Sequence, residues 1–179
     1  MAQRVRVQSF TVSQDGYGTG EEQTLERPFG HADPTELMAW RFDTASWPGR
    51  TGPGGSRGID DYFERDFAIG IGAEIMGRNK FGPQRGPWTD HEWTGWWGDT
   101  PPFHTPVFVL THHERPSITL ADTTFHFLDA SPVEAVERAK VAAGGLDVRV
   151  GGGPTTVRSF IEAGLVDELH VVVAPITLG

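Results

Sequence analysis

The clearest fold signals of the chain lie in the segment LDVRVGGGPTTVRSFIEAGLVDELHVVVAP, Leu146–Pro175. It opens with a β-branched run, Val148 to Val150, which predicts a short strand. That run ends at three consecutive glycines, Gly151, Gly152 and Gly153. A segment with helical apolar spacing follows, and then a second apolar run. We therefore predict a strand, a glycine turn, a helix and another strand, which together make one βαβ unit.

The helix of this unit has signals at both ends. Pro154 stands at a first-turn position, where its missing N–H group is tolerated. Gly164 stands where a C-terminal glycine commonly ends a helix. Between them, three apolar residues repeat at the i, i+3, i+4 spacing of one helix face: Val157, Phe160 and Ile161. The nearly continuous apolar run Leu169–Ala174 then predicts a strand buried on both faces.

The glycine turn has two interpretations. Without Cβ atoms, its backbone can come close to a ligand, and the helix behind it offers unpaired N–H groups and a positive dipole end to a phosphate. A tight turn that binds nothing explains the glycines equally well. The spacing is not the G-x-G-x-x-G of the Rossmann fingerprint. The residues alone leave the choice open.

Three motifs resemble one known family and stand in that family's order. The glycine turn, followed by a helix and by AGLVDELH at Ala163–His170, resembles the reductase domain of the riboflavin-pathway deaminase-reductases, within the wider dihydrofolate reductase fold. Upstream, AEIMGRNKF at Ala73–Phe81 resembles the Met-Gly-Arg segment of that fold. A weaker third match is SQDGY at Ser13–Tyr17. Together they cover nearly the whole chain.

The resemblance implies an α/β class: a dihydrofolate reductase-like three-layer fold, with a mainly parallel central sheet flanked by helices. The alternation of predicted strands and helices along the chain favours the same arrangement. We expect a single domain over residues 1–179. Members of the family usually continue with another pair of strands, which this sequence does not contain before Gly179.

The resemblance also implies an NADPH site. It places the pyrophosphate between the glycine turn and the helix that starts after Gly77-Arg78-Asn79, and it gives Arg78 the 2′-phosphate, which a planar guanidinium suits. A surface salt bridge for Arg78 and a plain strand end for Thr111 are the alternatives. The implied cofactor-binding residues are Gly77, Arg78, Asn79, Thr111, His112, Gly151, Gly152, Gly153 and Thr155. In this fold the first two glycines of the turn, here Gly151 and Gly152, are joined by a cis peptide bond.

Hydride transfer would also need a proton donor, from a side chain or bound water. By resemblance, Asp15 and Glu168 are the candidate catalytic residues, although Glu168 is equally explained as a solvent-facing residue before its strand. Folate reductases have an acid on the helix before the Met-Gly-Arg strand. Four acids compete for that position here, and no spacing selects one: Asp60, Asp61, Glu64 and Asp66.

The segment Asp90–Phe103 is unusually aromatic for a loop. Its tryptophans either fill the core or a dimer contact, or form a wall for a flat heterocyclic substrate. The candidate substrate residues are Trp93, Trp96 and Trp97. This segment resembles an actinobacterial-type subgroup of the family rather than the biosynthetic reductases, so it does not identify the substrate.

Composition excludes several other classes. A formal charge of −9 disfavours broad contact with nucleic acid. No apolar stretch approaches the roughly 20 residues of a membrane span. The chain has no cysteine, which excludes disulfides and thiolate chemistry and fits a reducing cytoplasm. We expect no metal site, because adjacent residues such as His112 and His113 would face opposite sides of a strand.

The sequence therefore predicts a cytoplasmic, NADPH-dependent reductase of a small pterin-like or pyrimidine-like heterocycle. A non-catalytic nucleotide-binding or ligand-sensing protein on the same fold is the alternative. The apolar stretch Leu169–Leu178 leaves surface without a partner in the monomer, so we also expect a homodimer.

Overall fold

The computed structural model describes residues 2–179. Over these residues the chain forms seven strands and six helices. The strands are β1 Val5–Ser13, β2 Ile71–Gly77, β3 Pro106–Leu110, β4 Ile118–Leu120, β5 Thr123–Leu128, β6 Asp147–Val150 and β7 Glu168–Ala174. The helices are α1 Pro34–Leu37, α2 Ala39–Phe42, α3 Ile59–Asp66, α4 Arg78–Phe81, α5 Pro132–Ala142 and α6 Pro154–Glu162.

The strands form one sheet in the order β4-β5-β3-β2-β6-β1-β7. The pairs β5–β3, β3–β2, β2–β6 and β6–β1 are parallel, whereas β4 runs antiparallel to β5. Helices flank this sheet, so the predicted α/β class and its mainly parallel sheet are confirmed. Strand β4 and the short helix α2 were not predicted, because each is too short to show a period. Helix α4 was expected from the resemblance, but it begins at Arg78, two residues earlier than expected.

The described residues divide into two compact units. The first contains residues 2–7 and 70–169, and the second contains residues 8–69 and 170–179. The expectation of a single domain stays a prediction.

The first unit is built around an aromatic core. Phe125 is fully buried, and its ring centroid lies 5.2 Å from that of Phe81. The buried members of this cluster are Met76, Phe81, Trp88, Val107, Val109, Phe125 and Phe127. On the sheet, α5 packs against β2, β3 and β6.

Helix ends in the first unit follow the sequence closely. Ser131 and Glu134 form a reciprocal capping box at the start of α5. Gly164 follows α6 with φ +67°, a backbone conformation that favours glycine.

The second unit buries charge rather than only apolar side chains. In α3 the buried residues are Asp61 and Glu64. Glu64 accepts two hydrogen bonds from Arg41, of 2.6 and 3.0 Å. Such burial is possible because the carboxylate is paired and hydrogen-bonded.

Strand β7 differs from its prediction. Its side chains alternate in exposure instead of being buried on both faces. Leu169, Val171 and Val173 are 50%, 41% and 60% exposed. An apolar run predicts a strand but does not determine how many faces the fold covers. Over the described residues, no helix has the length and apolar character needed to cross a membrane.

The exposed face of β7 is the surface through which we expect the predicted homodimer to form. We define this face by Leu169, Val171 and Val173 and expect it to be buried between two copies of the chain. Val173→Glu should place an unpaired charge in that contact, at a cost of several kcal/mol, and should dissociate the dimer. Light scattering at micromolar concentration measures the mass.

Val141→Glu is the matched control, because Val141 is 84% exposed on α5. It should leave the mass unchanged. A wild-type protein that is already monomeric at this concentration would contradict the prediction.

Candidate functional site

The glycine turn begins where β6 stops pairing. The Gly151 N–H still donates to the Ile75 carbonyl at 2.8 Å, as a strand residue would. The next glycine, Gly152, has φ +104°, which only glycine adopts readily. The cis peptide bond joins Gly152 to Gly153, so its predicted position between Gly151 and Gly152 was wrong by one residue. The turn starts one residue later because Gly151 continues the strand pairing.

The turn leads into the N-terminus of α6. Gly153 is the N-cap residue, and no side chain caps this end of the helix. Pro154 and Thr155 are exposed. The first N–H groups of the helix have no partner within it, so they present partial positive charge to the solvent here. An anion could bind at this position.

The Met-Gly-Arg segment lies directly beside the turn. The Gly77 N–H donates to the Gly152 carbonyl at 2.8 Å. A Cβ atom on Gly77 would overlap the Thr156 hydroxyl, so any larger residue at that position would displace this hydroxyl. The structure therefore brings together the two glycine motifs that lie far apart in the sequence.

Arg78 follows Gly77 at the start of α4. Its Nη1 donates to the Gly86 carbonyl at 2.5 Å and to Thr111 Oγ1 at 3.4 Å. Its Cζ lies 3.8 Å from the centroid of the Trp88 ring, a close cation–π contact. The remaining guanidinium nitrogens, Nε and Nη2, are buried and have no hydrogen-bond partner among the described residues. Buried polar groups are normally paired, so these two nitrogens point to a missing acceptor.

Arg78 lines a groove of about 340 Å³. Four of the predicted cofactor-binding residues meet in it: Arg78, Asn79, Thr111 and His112. The rest of its lining is Gln84, Arg85, Gly86, Leu110, His113, Leu128, Asp129 and Ala130. The Thr111 hydroxyl also accepts from the His113 N–H at 3.1 Å, and His112 Nδ1 lies 3.0 Å from Asp129.

The electrostatics around Arg78 favour an anion. Burial, and then the neighbouring positive charges of Arg85 and Arg115, lower the pKa of Arg78. No described carboxylate forms an ion pair with Arg78, and Asp129, the carboxylate that also lines the groove, pairs with His112 instead. A phosphate group would supply both the missing acceptors and the missing negative charge.

The loop tryptophans lie against the core of the first unit. Trp93 donates to the Phe81 carbonyl at 3.1 Å, and its ring contacts Trp96 edge-on at 4.9 Å. Trp97 packs against Phe103 at 4.7 Å. These contacts favour the core-packing interpretation, and a substrate role for Trp93, Trp96 and Trp97 stays a prediction.

The candidate catalytic acids both have other partners. Glu168 lies 3.0 Å from Arg4 and 3.4 Å from Arg6, as an ion-paired residue at the start of β7. Asp15, in the second unit, accepts hydrogen bonds from the Ser13 hydroxyl at 2.5 Å and from the Gly179 amide at 2.9 Å. The pKa of Asp15 is lowered below its usual 3.8, mainly by the Ser13 hydroxyl and further by the amides of Gly179 and Leu178.

Three of the four competing acids of α3 also have hydrogen-bond or ion-pair partners. Asp61 accepts from the Ser46 amide at 2.8 Å, Glu64 pairs with Arg41, and Asp66 accepts from Gln8 at 2.9 Å. None of these contacts singles out one acid as a proton donor. Over residues 2–179, no three or more His, Asp or Glu side chains converge into a group that could hold a metal ion.

Sequence reasoning missed one group of residues near the turn. Glu74 of β2 is fully buried, and it pairs with Lys80 of α4 and Arg149 of β6. A signal was present, because a single charge inside each of two apolar strands requires a buried partner. It also missed Trp88, Arg85 and Arg115 around Arg78, which only the folded loops bring together.

The chain belongs to the RibD C-terminal domain family, whose model matches residues 7–179. This is a reductase-type domain with the dihydrofolate reductase-like fold, so the family predicted from the motifs is confirmed. No curated protein matches the chain as a relative. Among solved structures, a 2.12 Å crystal structure from Shewanella sp. PV-4 has a TM-score of 0.50 and 21% sequence identity. It aligns with all of this chain and 80% of that one, and its name alone assigns it to riboflavin biosynthesis. At this identity the likeness shows the fold only.

The hydrogen bonds of Asp15 give a testable pH dependence. A carboxyl with a lowered pKa keeps its contacts above its unfolded value and loses them as the pH falls through its folded value. The Asp15 contacts with Leu178 and Gly179 should therefore be complete above pH 3.8 and lost only below it. NMR shifts of these two amides against pH measure the midpoint, and Asp15→Asn should abolish the transition. A midpoint near neutrality would contradict the assignment and would make Asp15 a credible proton donor.

Proposed function

We propose that the protein binds NADPH and transfers its hydride to a small pterin-like or pyrimidine-like heterocycle. The family supports the general activity, since RibD C-terminal domains are reductase-like oxidoreductases that typically use a nicotinamide cofactor. The preference for NADPH is supported by one observation: Arg78 has two buried nitrogens without acceptors, and the Asp129 carboxylate in the same groove pairs with His112 rather than with Arg78. The heterocyclic substrate is proposed from the resemblance alone.

The residues fit the cofactor in two places. In the proposal, Arg78, Thr111 and His112 hold the 2′-phosphate, with the Arg78 guanidinium fixed against Trp88. The pyrophosphate lies over the glycine turn, where the N–H groups of the first turn of α6 face solvent and Thr155 is exposed. Glycine is required there because the backbone must come close to the ligand.

The bound nicotinamide would supply the hydride chemistry, and the chain would supply binding and orientation. The Ser13 hydroxyl and the amides of Gly179 and Leu178 lower the pKa of Asp15, so at neutral pH this carboxyl is protonated even less often than an ordinary aspartate. In our proposal it instead holds the loop after β1 through Ser13 and the amides of Leu178 and Gly179. The proton then comes from bound water, as general acid catalysis allows. A cytoplasmic location, where NADPH is available, belongs to the same proposal.

Cofactor binding tests this function directly. Titration of the tryptophan fluorescence should give tighter binding for NADPH than for NADH. Arg78→Ala removes charge-assisted hydrogen bonds worth roughly 1.5–3 kcal/mol, so the dissociation constant for NADPH should rise by about tenfold or more. The constant for NADH, which lacks the 2′-phosphate, should change little.

Arg138→Ala is the matched control, because Arg138 is exposed on α5 and does not line the groove. It should leave both constants unchanged. If neither cofactor binds the wild type more tightly than about millimolar, which corresponds to only ~4 kcal/mol, the proposal fails.

A non-catalytic nucleotide-binding protein is the second candidate function. It is favoured by the state of the two candidate acids, since Glu168 is ion-paired and Asp15 has a lowered pKa. A panel of oxidised pterins and pyrimidines, followed by the loss of NADPH absorbance, separates the two. Oxidation of NADPH with any member would exclude the second candidate. Tight NADPH binding without oxidation across the panel would favour it.

A further inference from the structure

Glu74 is the centre of a buried ion cluster beneath the glycine turn. Its side chain is 0% exposed. Oε1 accepts from Lys80 Nζ at 2.9 Å, and Oε2 accepts from Arg149 Nε at 3.0 Å and also from Arg149 Nη2. Glu74 and Arg149 are register partners on the parallel strands β2 and β6. The cluster therefore joins two neighbouring strands to the short helix α4.

This cluster touches the first glycine of the turn. A Cβ atom on Gly151 would overlap both Glu74 Oε1 and Lys80 Nζ. The carboxylate and the ammonium group therefore occupy the space where a side chain of Gly151 would stand. Any displacement of the Glu74 carboxylate therefore changes the packing against Gly151.

The same cluster also reaches the helix that carries Arg78. Lys80 and Arg78 are both in α4, which is only four residues long and has no side-chain cap at its start. A helix of one turn has little stability of its own, so its position depends on contacts with the rest of the fold. The ion pair from Lys80 to Glu74 is such a contact.

We propose that Glu74 is a positioning residue, which fixes the glycine turn and the Arg78 helix relative to each other through Gly151 and Lys80. The expected effect on cofactor binding rests on the proposed function, in which those two segments hold the pyrophosphate and the 2′-phosphate. The expected effect on the positions of the two segments concerns the free protein and needs no cofactor. If the cluster were purely structural, removing the charge of Glu74 would lower the stability of the whole fold without any selective effect on the turn.

Glu74→Gln tests the proposal, since it keeps the shape of the side chain and removes its charge. Glu137→Gln, at an exposed position of α5, is the matched control. The first measurement is native-state hydrogen exchange without cofactor. The amides of Gly77 and Gly151 donate the two hydrogen bonds that join the motifs, so Glu74→Gln should increase their exchange by about tenfold or more. Amides of β5, such as that of Phe125, should be unaffected.

The second measurement is the pair of dissociation constants for NADPH and NADH. Misplacing a binding group by a fraction of an ångström weakens its contacts strongly, so Glu74→Gln should reduce the preference for NADPH by about tenfold. Because the preference is a ratio of two constants for one variant, a uniform loss of folded protein would not change it.

The outcomes separate the two proposals. If the wild type binds neither cofactor, the proposed function fails, and hydrogen exchange still decides the positioning role. Suppose that the wild type binds NADPH. If Glu74→Gln then leaves the exchange of the Gly77 and Gly151 amides unchanged, or raises exchange equally across the sheet, the positioning role is overturned. If Glu74→Gln does not fold, Lys80→Met replaces it, since Lys80 is 28% exposed and its removal leaves the pair with Arg149. It should increase exchange at Gly151 in the same direction, and no increase would overturn the inference.

Discussion

The charge of Glu74 is the constraint on which the centre of the first unit depends. A carboxylate that is 0% exposed can remain ionised only if cations stay beside it, and Arg149 and Lys80 do so. Burial alone would raise the pKa of Glu74, but the positive charges of Arg149 and Lys80 outweigh it and lower that pKa. Removing one partner of such a pair costs roughly 3–5 kcal/mol, so β2, β6 and α4 cannot separate easily. The cluster also explains why Gly151 has no side chain: its space is already filled.

The candidate site follows from this arrangement. Two backbone hydrogen bonds, from Gly77 to Gly152 and from Gly151 to Ile75, hold the Met-Gly-Arg segment against the glycine turn. Arg78 then extends into a groove where it stacks on Trp88 but keeps two nitrogens without acceptors. Glu74 and Arg78 differ in how completely their charged groups are paired. The fold pairs its buried carboxylate fully, yet leaves two nitrogens of the Arg78 guanidinium without an acceptor, which supports the proposed binding role of Arg78.

Much of the fold could be predicted from the sequence because its signals are local. The βαβ unit around Gly151–Gly153 and the capping box at Ser131 follow from residues that lie close together in the chain. Strand β4 escaped prediction because three residues show no period, and it exists only through pairing with β5. The exposure of β7 was predicted wrongly, since an apolar run does not reveal which face the rest of the chain covers. Arg78 was identified by resemblance, whereas Trp88 and Arg115 were not, because the fold brings them beside it from separate loops.

In the proposed function, the two unpaired nitrogens of Arg78 bind the phosphate that distinguishes NADPH from NADH. A crystal structure of the protein with bound NADP⁺ is the sharpest test of this role. The 2′-phosphate should lie at about 2.7–2.9 Å from Arg78 Nε or Nη2, the length of a charge-assisted hydrogen bond, with the guanidinium still stacked on Trp88. A bound nucleotide whose 2′-phosphate contacts other residues, with Arg78 Nε and Nη2 still without an acceptor, would contradict it.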